Sequence, residues 1–365
     1  MRVLVVNAGS LTLKLRVVDE DGAALATRDL PALRGAEDGA ALAALLAGLP
    51  AVEAVGHRVV HGGTQFSGPT LVDDAVVAAL AGLTDLAPLH QPKALLGIAA
   101  ARAALPGLPH VACFDTAFHA GIPPAAATYA LPREWTRRFN LRRYGFHGLS
   151  HAYAARRAGE LLGRGLADLR VVTCHLGAGA SLAAVEGGRS VATTMGFTPL
   201  EGLVMATRAG DVDPGLLLWL EERMGLTPSQ LSAALTNESG ILGMAGTSDM
   251  REVVERAASG DADAALALDV YVHRLRSSVA SMAAAMDGLD ALVFTGGVGE
   301  NASLVRQRTA DGLGFLGVAL DPGANAARPP DREIGVPGGP VGVLVIAARE
   351  DVEIARETRA VVRDA

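Results

Sequence analysis

The sequence predicts an α/β chain made of two related domains, and three observations predict it. Val3-Leu-Val-Val-Asn-Ala-Gly-Ser10 reads as a buried apolar strand running into a small-residue turn, and Leu11 to Val18 as a second, alternating strand. The plan recurs at Leu169 to His175, Leu176-Gly-Ala-Gly-Ala180 and Ser181 to Glu186. Further strands end in glycine-rich loops, at His57-Arg-Val-Val-His-Gly-Gly63 and Thr295-Gly-Gly-Val-Gly-Glu-Asn301, the end at which α/β sheets place ligands. Two strand–Gly turn–strand units, one near the start of each half, point to a duplicated domain that clamps a phosphate chain between its copies.

The elements follow in order. After the first hairpin, Asp19 to Gly22 is a turn and Glu37 to Ala47 an Ala/Leu-rich helix. A strand is expected within Ala51 to Val60, helices over Asp73 to Leu83 and Lys93 to Ala104, and a short buried strand over His110 to Phe114. Pro123 and Pro124 mark the exit of the first domain. The loop Arg142 to His151 feeds a helix from about Ala152 to Leu162, ahead of the second hairpin. Thr194 to Pro214 is a long loop rich in glycine and acids, which in a compact domain marks function or disorder. Helices are expected over Gly215–Met224, Pro228–Leu235, Asp249–Ala257 and Ala262–Met286. Strands are expected over Ala291–Phe294 and Val341–Ile346, with Glu300, Asn301 and Ser303 starting a helix and a final helix from about Asp351 to Val362.

Composition narrows the function. Half the residues are hydrophobic but only 4% are aromatic, so the cores are built of Ala, Val and Leu. The net charge of −7, without a long basic run, argues against nucleic acid as a partner. The most apolar stretch, Ala40 to Val55, is broken by Gly48, Pro50 and Glu53 and does not span a bilayer. Cys113 and Cys174 lie in apolar runs and, with no secretory signal read in the sequence, are expected as buried free thiols in a cytoplasmic protein. Of 32 Lys and Arg residues only Lys14 and Lys93 are lysines. A lysine beside the first turn is therefore a compact point charge in a chain that otherwise writes its cations as Arg.

Asn7, Gly9, Ser10, Thr12 and Lys14 together supply the amides, hydroxyls and cation of a phosphate cradle. The 295–301 turn resembles a nucleotide loop, but no Gly-Lys-Ser/Thr follows, so it is not a Walker loop. His57 and His61, and His147 and His151, are four apart but lack the pattern of a zinc site. Structural roles are expected for His61, His90, His110 and His273, whereas His147 sits between glycines just after two arginines. Arg58 and Arg208 in loops suit a reaction that brings two anions together. Asp115, Asp211, Asp213, Glu300 and Glu350 are candidates to hold Mg²⁺, with at least half of them expected as caps or turn residues.

These motifs together resemble the acetate kinase family, of the acetate and sugar kinase/heat-shock 70/actin superfamily. The matching runs are Val5 to Ser10 with Lys14, Gly56 to Gly63, Phe114-Asp-Thr-Ala-Phe-His119, Tyr144 to Gly148, Met195 to Met205, Thr207-Arg208, and Phe294 to Asn301. They extend from one end of the chain to the other in the family's order. The resemblance implies a duplicated actin-like (ribonuclease H-like) fold with a central cleft. Its first domain would be 1–117 plus a terminal helix at about 350–365, and its nucleotide-binding domain 118–349. It implies reversible phosphoryl transfer from ATP to acetate in a cytoplasmic homodimer that uses Mg²⁺ or Mn²⁺, with no nucleic-acid or membrane partner.

Residue by residue, the resemblance places Asn7 and Glu350 at the metal and Lys14 at the nucleotide phosphates. Arg58 would bind the carboxylate, with Val60, Leu89, Phe146 and Pro199 around its methyl group. Asp115, His147 and Arg208 would be catalytic. His175, Leu176, Gly177, Ala178 and Gly179, then Asp249, Met250 and Arg251, then Gly297, Val298, Gly299, Glu300 and Asn301 would bind ATP. An acetate carboxyl is already ionised near neutral pH, since carboxyl pKa values lie near ~4, so Asp115 is expected to position Arg58 or hydrated metal rather than to act as a base. The chain departs from the family at Leu11, Leu149, Ala178, Ala180, Ala192 and Ala348-Arg349. Ala178 and Ala180 replace the Asn and Ser of the usual second hairpin. A propionate-preferring kinase and a weakly active nucleotide-binding regulator are the competing expectations.

Overall fold

The structure is a computed structural model and describes residues 1–8, 12–31, 44, 46, 48–88 and 90–364. The chain forms two compact units. The first comprises Met1–Gly121, Phe146–Tyr153 and Arg349–Ala365, and the second Ile122–Gly145 and Ala154–Ala348. Phe146–Tyr153, which the sequence division assigned to the second domain, packs with the first unit.

In the first unit, β1 (Val3–Ala8), β2 (Thr12–Val18), β3 (Ala24–Pro31), β4 (Ala54–Val59), β5 (Thr70–Leu71) and β6 (His110–Phe114) form one sheet in the order β3-β2-β1-β4-β6-β5. β1, β4 and β6 are parallel, and β2, β3 and β5 run against their neighbours. The central strands are mostly apolar and buried because both faces are covered. Leu4, Val6, Leu13, Leu15 and Val17 face one way with Ala101 of the helix Gln91–Ala104. Val3, Val5, Val18, Ala54, Val111 and Cys113 face the other way, against Ile354 and Ala355 of the terminal helix Glu350–Asp364.

Gly56 lets that helix come close. A Cβ there would sit 2.4 Å from Thr358 Oγ1 and 2.6 Å from Ile354 Cγ2. Gly56 and Arg58 share a face of β4 by the period of two, and Glu350, Ile354 and Thr358 share a stripe of the helix by steps of four. The contact that seats the helix on Gly56 therefore also brings Glu350 toward Arg58.

The second unit repeats the plan. β7 (Arg170–Leu176), β8 (Ala180–Glu186), β9 (Arg189–Thr193), β10 (Ala291–Thr295), β11 (Arg332–Glu333) and β12 (Gly342–Val345) lie in the order β11-β12-β10-β7-β8-β9, with β7, β10 and β12 parallel and the other three antiparallel to their neighbours. Strand for strand this is the first sheet again, so the duplication expected from the two hairpins is present. The long helix Ala262–Ala284, capped by Asp261 on the amides of Asp263 and Ala264, buries Tyr271, Leu275 and Val279.

Three local expectations change. The helix expected from Ala152 begins at Gly148, so His151 is helical. The helix expected to start near Glu300 starts at Gly296, with the glycines themselves forming its first turn, breaks at Ala302, and resumes over Ser303–Asp311. The helix Arg133–Phe139 and the edge strands β3, β5, β9 and β11 were not expected. Most of the Glu37–Ala47 helix lies outside the described residues, of which Ala44 and Leu46 are helical. Cys113 and Cys174 are free and buried. Among the described residues no helix is long and apolar enough to cross a membrane.

Candidate active site

In the first unit, neighbouring parallel strands place an arginine and an aspartate side by side. Arg58 lies near the end of β4 and Asp115 immediately follows β6, its amide donating to Val59 O at 3.0 Å. Arg58 Nε and Nη2 donate to Asp115 Oδ1 and Oδ2 at 3.0 and 2.7 Å, a two-toothed fork. Asp115 is only 2% exposed. Glu350 Oε2 lies 3.9 Å from Arg58 Nη1. Burial works against the Arg58 charge, but Asp115 and then Glu350 outweigh it, and its pKa is raised. The expectation that Asp115 would position Arg58 therefore has a geometry behind it, since both its oxygens accept from that guanidinium.

The His147 loop is tied to the same place. Gly148 N donates to Asp115 O at 2.8 Å, and a Cβ on Gly148 would stand 2.3 Å from that oxygen, so only glycine fits. His147 has φ +56°, in the left-handed region that a non-glycine residue enters at a cost of roughly 1–3 kcal/mol. Asn7 and Lys14 are directly paired across β1 and β2 and so share a face of the sheet.

His57, His61 and His110 are engaged within the fold of this unit. His57 Nε2 and His110 Nδ1 lie 3.0 Å apart with stacked rings, and burial lowers His57 to about 3. His61 Nδ1 accepts from Gly63 N. His273, expected as a satisfied structural histidine, is instead exposed on the helix Ala262–Ala284. Phe146 is buried edge-on against His61, and Val60 is half-buried. Leu89 lies outside the described residues.

The second unit holds a cavity of about 640 Å³. It is lined by Gly177, Ala178, Asp249, Met250, Arg251, Gly297, Val298 and Asn301 from the expected nucleotide set, and also by Ala206, Ile241, Ser248, Tyr271, Ala302 and Arg328. Asp249 caps the helix Met250–Ala258 and forks to Arg251. His175, Leu176, Gly179, Gly299 and Glu300 of the expected set do not line it. Leu176 and Gly299 are buried, and Glu300 accepts from Ala348 N at 3.0 Å.

Arg208 donates to Pro199 O at 3.0 Å, and burial lowers its pKa. Its loop is tied internally, with Asp211 Oδ1 accepting from Gly202 N and Glu201 held by Tyr129 and Arg143. Asp213 caps the helix Pro214–Met224. Asp211, Asp213 and Glu300 each accept a hydrogen bond from a backbone amide, of Gly202, Leu216 and Ala348 respectively. Tyr271 and Arg328 gave no sequence signal: one lies mid-helix in an apolar run, the other in a proline-rich loop.

The family model described as the acetokinase family matches residues 40–356. The chain belongs to the acetokinase family. Acetate kinase from Microcystis aeruginosa is 47% identical over 97% of this chain and 87% of the relative. That from Deinococcus radiodurans is 53% identical over 86% and 79%. Among solved structures, Porphyromonas gingivalis acetate kinase superposes with a TM-score of 0.91 at 36% identity, covering 99% of each chain. A propionate kinase from Francisella tularensis superposes at 0.89 with 35% identity, covering 98% of this chain and 99% of the other.

Asn7 and Glu350, the two residues expected at a metal, would offer an amide oxygen and a carboxylate, both hard oxygen donors. No cluster of three or more His, Cys, Asp or Glu able to hold a metal exists among the described residues. That set fits an ion of the Mg²⁺ type, which keeps water and substrate phosphates and takes one or two protein carboxylates, better than it fits a closed protein cage.

Proposed function

We propose that the chain transfers the γ-phosphoryl group of ATP in line to a carboxylate oxygen of acetate, giving acetyl phosphate and ADP, and that it runs in both directions. The forming bond joins the acetate oxygen to Pγ, and the bond from Pγ to the β,γ-bridging oxygen breaks with its electrons leaving on ADP. The observation that carries this reading is the Arg58–Asp115 fork with Glu350 beside it. It holds a cation whose remaining edge can pair with a small carboxylate, where no proton has to be removed. Val60, Leu89, Phe146 and Pro199 are assigned to the methyl group.

Lys14 and the cavity of the second unit are assigned to the nucleotide. Asn7 and Glu350 are assigned to Mg²⁺ or Mn²⁺, which when bound neutralises phosphate charge. His147 and Arg208 are assigned to the charge that builds on the transferring group. His175, Leu176, Gly179, Gly299 and Glu300 act on the nucleotide by shaping the turns that carry the lining residues. We read 1–117 with 350–365 as the carboxylate-handling domain and 118–349 as the nucleotide-handling one.

A cytoplasmic homodimer is also proposed, without membrane or nucleic-acid partners, consistent with the net charge of −7. It rests on Leu216, Leu218, Trp219 and Met224, exposed on the helix Pro214–Met224.

The test is to trap acetyl phosphate with hydroxylamine in the presence of ATP, Mg²⁺ and acetate. Hydroxamate above background is expected; none, with ATP still bound, would favour a nucleotide-binding regulator. Propionate is a second candidate because the Francisella tularensis propionate kinase is nearly as similar in structure. One methylene in an apolar pocket is worth about 1–3 kcal/mol, so catalytic efficiencies on the two acids decide between them.

A further inference from the structure

We propose that His119 is a positioning residue, which holds the Phe146 carbonyl and thereby locks His147 in its left-handed backbone conformation beside Asp115. The inference rests on the role assigned above to His147. His119 Nε2 lies 3.1 Å from Phe146 O, and the His119 side chain is fully buried. A carbonyl oxygen only accepts, so the proton must be on Nε2, and Nε2–H donates. Burial lowers the His119 pKa to about 4, so the ring is neutral at physiological pH and carries that single proton. The rings of Phe118 and His151 stand edge-on to it at 5.5 and 5.6 Å, which fixes its orientation.

The geometry explains why a bond at residue 146 matters at residue 147. His147 is pinned on both sides: His119 holds the carbonyl of the peptide before it, and Asp115 O accepts from the amide of the residue after it. A left-handed histidine persists only where its surroundings over-determine it. The sequence segment that delivers Asp115 delivers His119 four residues later, at the end of the short helical turn Ala117–His119. One segment therefore sets both the fork on Arg58 and the pose of His147. Without the His119 bond the peptide between Phe146 and His147 can rotate, and the imidazole leaves its place while the Arg58–Asp115 fork stays.

The test compares His119→Gln, His119→Asn and His119→Leu with His147→Ala, by kcat, by KM for acetate and for ATP, and by thermal midpoint. A glutamine amide nitrogen reaches the place of Nε2, whereas an asparagine amide falls short of it. His119→Leu and His119→Asn are expected to lose ten- to a hundredfold in kcat, as small misplacements do, with both KM values within about threefold. His119→Gln is expected to recover most of the loss.

If His119→Leu does not fold, the Gln-against-Asn contrast still decides. Equal kcat for those two, or a folded His119→Leu with kcat within twofold of the parent, overturns the inference. A His147→Ala variant at full kcat overturns both the role of His147 and this inference. A crippled His147→Ala beside unaffected His119 variants removes the inference alone.

Discussion

The two sheets share one strand order and one set of strand senses, yet their strand ends carry opposite chemistry. In the first, β4 and β6 end near Arg58 and Asp115, a charged fork whose aspartate is buried and whose arginine is half-buried. In the second, β7 and β10 end in Gly177 to Gly179 and in Gly296 and Gly297, with side chains removed from a cavity of about 640 Å³. A small carboxylate must be gripped by a few aimed charges, whereas a polyphosphate is best met by backbone amides, which only glycine exposes closely. The duplicated scaffold supplies positions, and the residues at the strand ends decide what each position does.

The sharpest way to break this division is Arg58→Ala. Catalytic efficiency with acetate is expected to fall at least a thousandfold, while ADP affinity stays within about twofold. Stability should drop by roughly 3–5 kcal/mol, because Asp115 is left as a buried, unpaired charge. Steady-state kinetics, ADP titration and urea unfolding read the three effects. A loss of ADP affinity as large as the loss with acetate would end the idea of separate duties.

The complementary change is Gly296→Ala. Gly296 has φ +78°, and a Cβ there would lie 2.9 Å from Leu176 O. Strain of about 1–3 kcal/mol in the turn that carries Gly297 and Val298 to the cavity should weaken ADP about ten- to a hundredfold. Unchanged ADP affinity in a folded variant would show that this turn does not shape the nucleotide site.

The same contrast explains what the sequence made legible. β1, β6, β7 and β10 are buried on both faces, so their apolar runs announce them, and glycine turns mark where they end. β3 is a largely exposed edge strand with no apolar alternation, and β11 is two residues long, so neither carries a period to detect. Arg58, Asp115 and His147 were readable as candidates because a family's motifs surround them, whereas the two residues just before Glu350 depart from the family. The mutual geometry of Arg58, Asp115, His147 and Glu350 was not readable, because it depends on Gly56 admitting the terminal helix and on Gly148 admitting Asp115 O. The cap acid Asp213 resembled a ligand for a physical reason: a carboxylate at a helix start and one at a metal look alike until its partner is known.

The covering helices extend the comparison to pH. The helix Ala262–Ala284 meets the second sheet with apolar residues, but the terminal helix turns Glu353 and Glu357 inward, and Glu357 Oε2 is buried without a hydrogen-bond partner. Burial first, and the charge of Glu353 second, push Glu357 from 4.5 up to about 7. The folded state therefore holds this proton more tightly than the unfolded chain. Its contribution is complete below about 4.5 and is lost as pH rises through about 7. Stability should fall across that window by on the order of 2 kcal/mol, and Glu357→Gln should flatten the slope. Urea midpoints at pH 5, 6 and 7.5 measure it, and an unchanged slope would reassign the effect.

The smallest expected effect is a gain. The first hairpin keeps Asn7 and Lys14 on one face, but the second presents Gly177 and Ala178 to the cavity, with Ala178 standing where the resembled family's usual hairpin has Asn. Ala178 is exposed at the lining, so an asparagine there meets solvent rather than a packed core. One hydrogen bond to a charged group is worth roughly 1.5–3 kcal/mol, of which ordering an exposed side chain takes part, so Ala178→Asn should raise efficiency with ATP about tenfold. If the gain appears in KM for ATP alone, the added amide grips phosphate equally in ground and transition states. If it appears in kcat, the second hairpin touches the group in flight, and the line between a gripping first copy and a cradling second copy has to be redrawn.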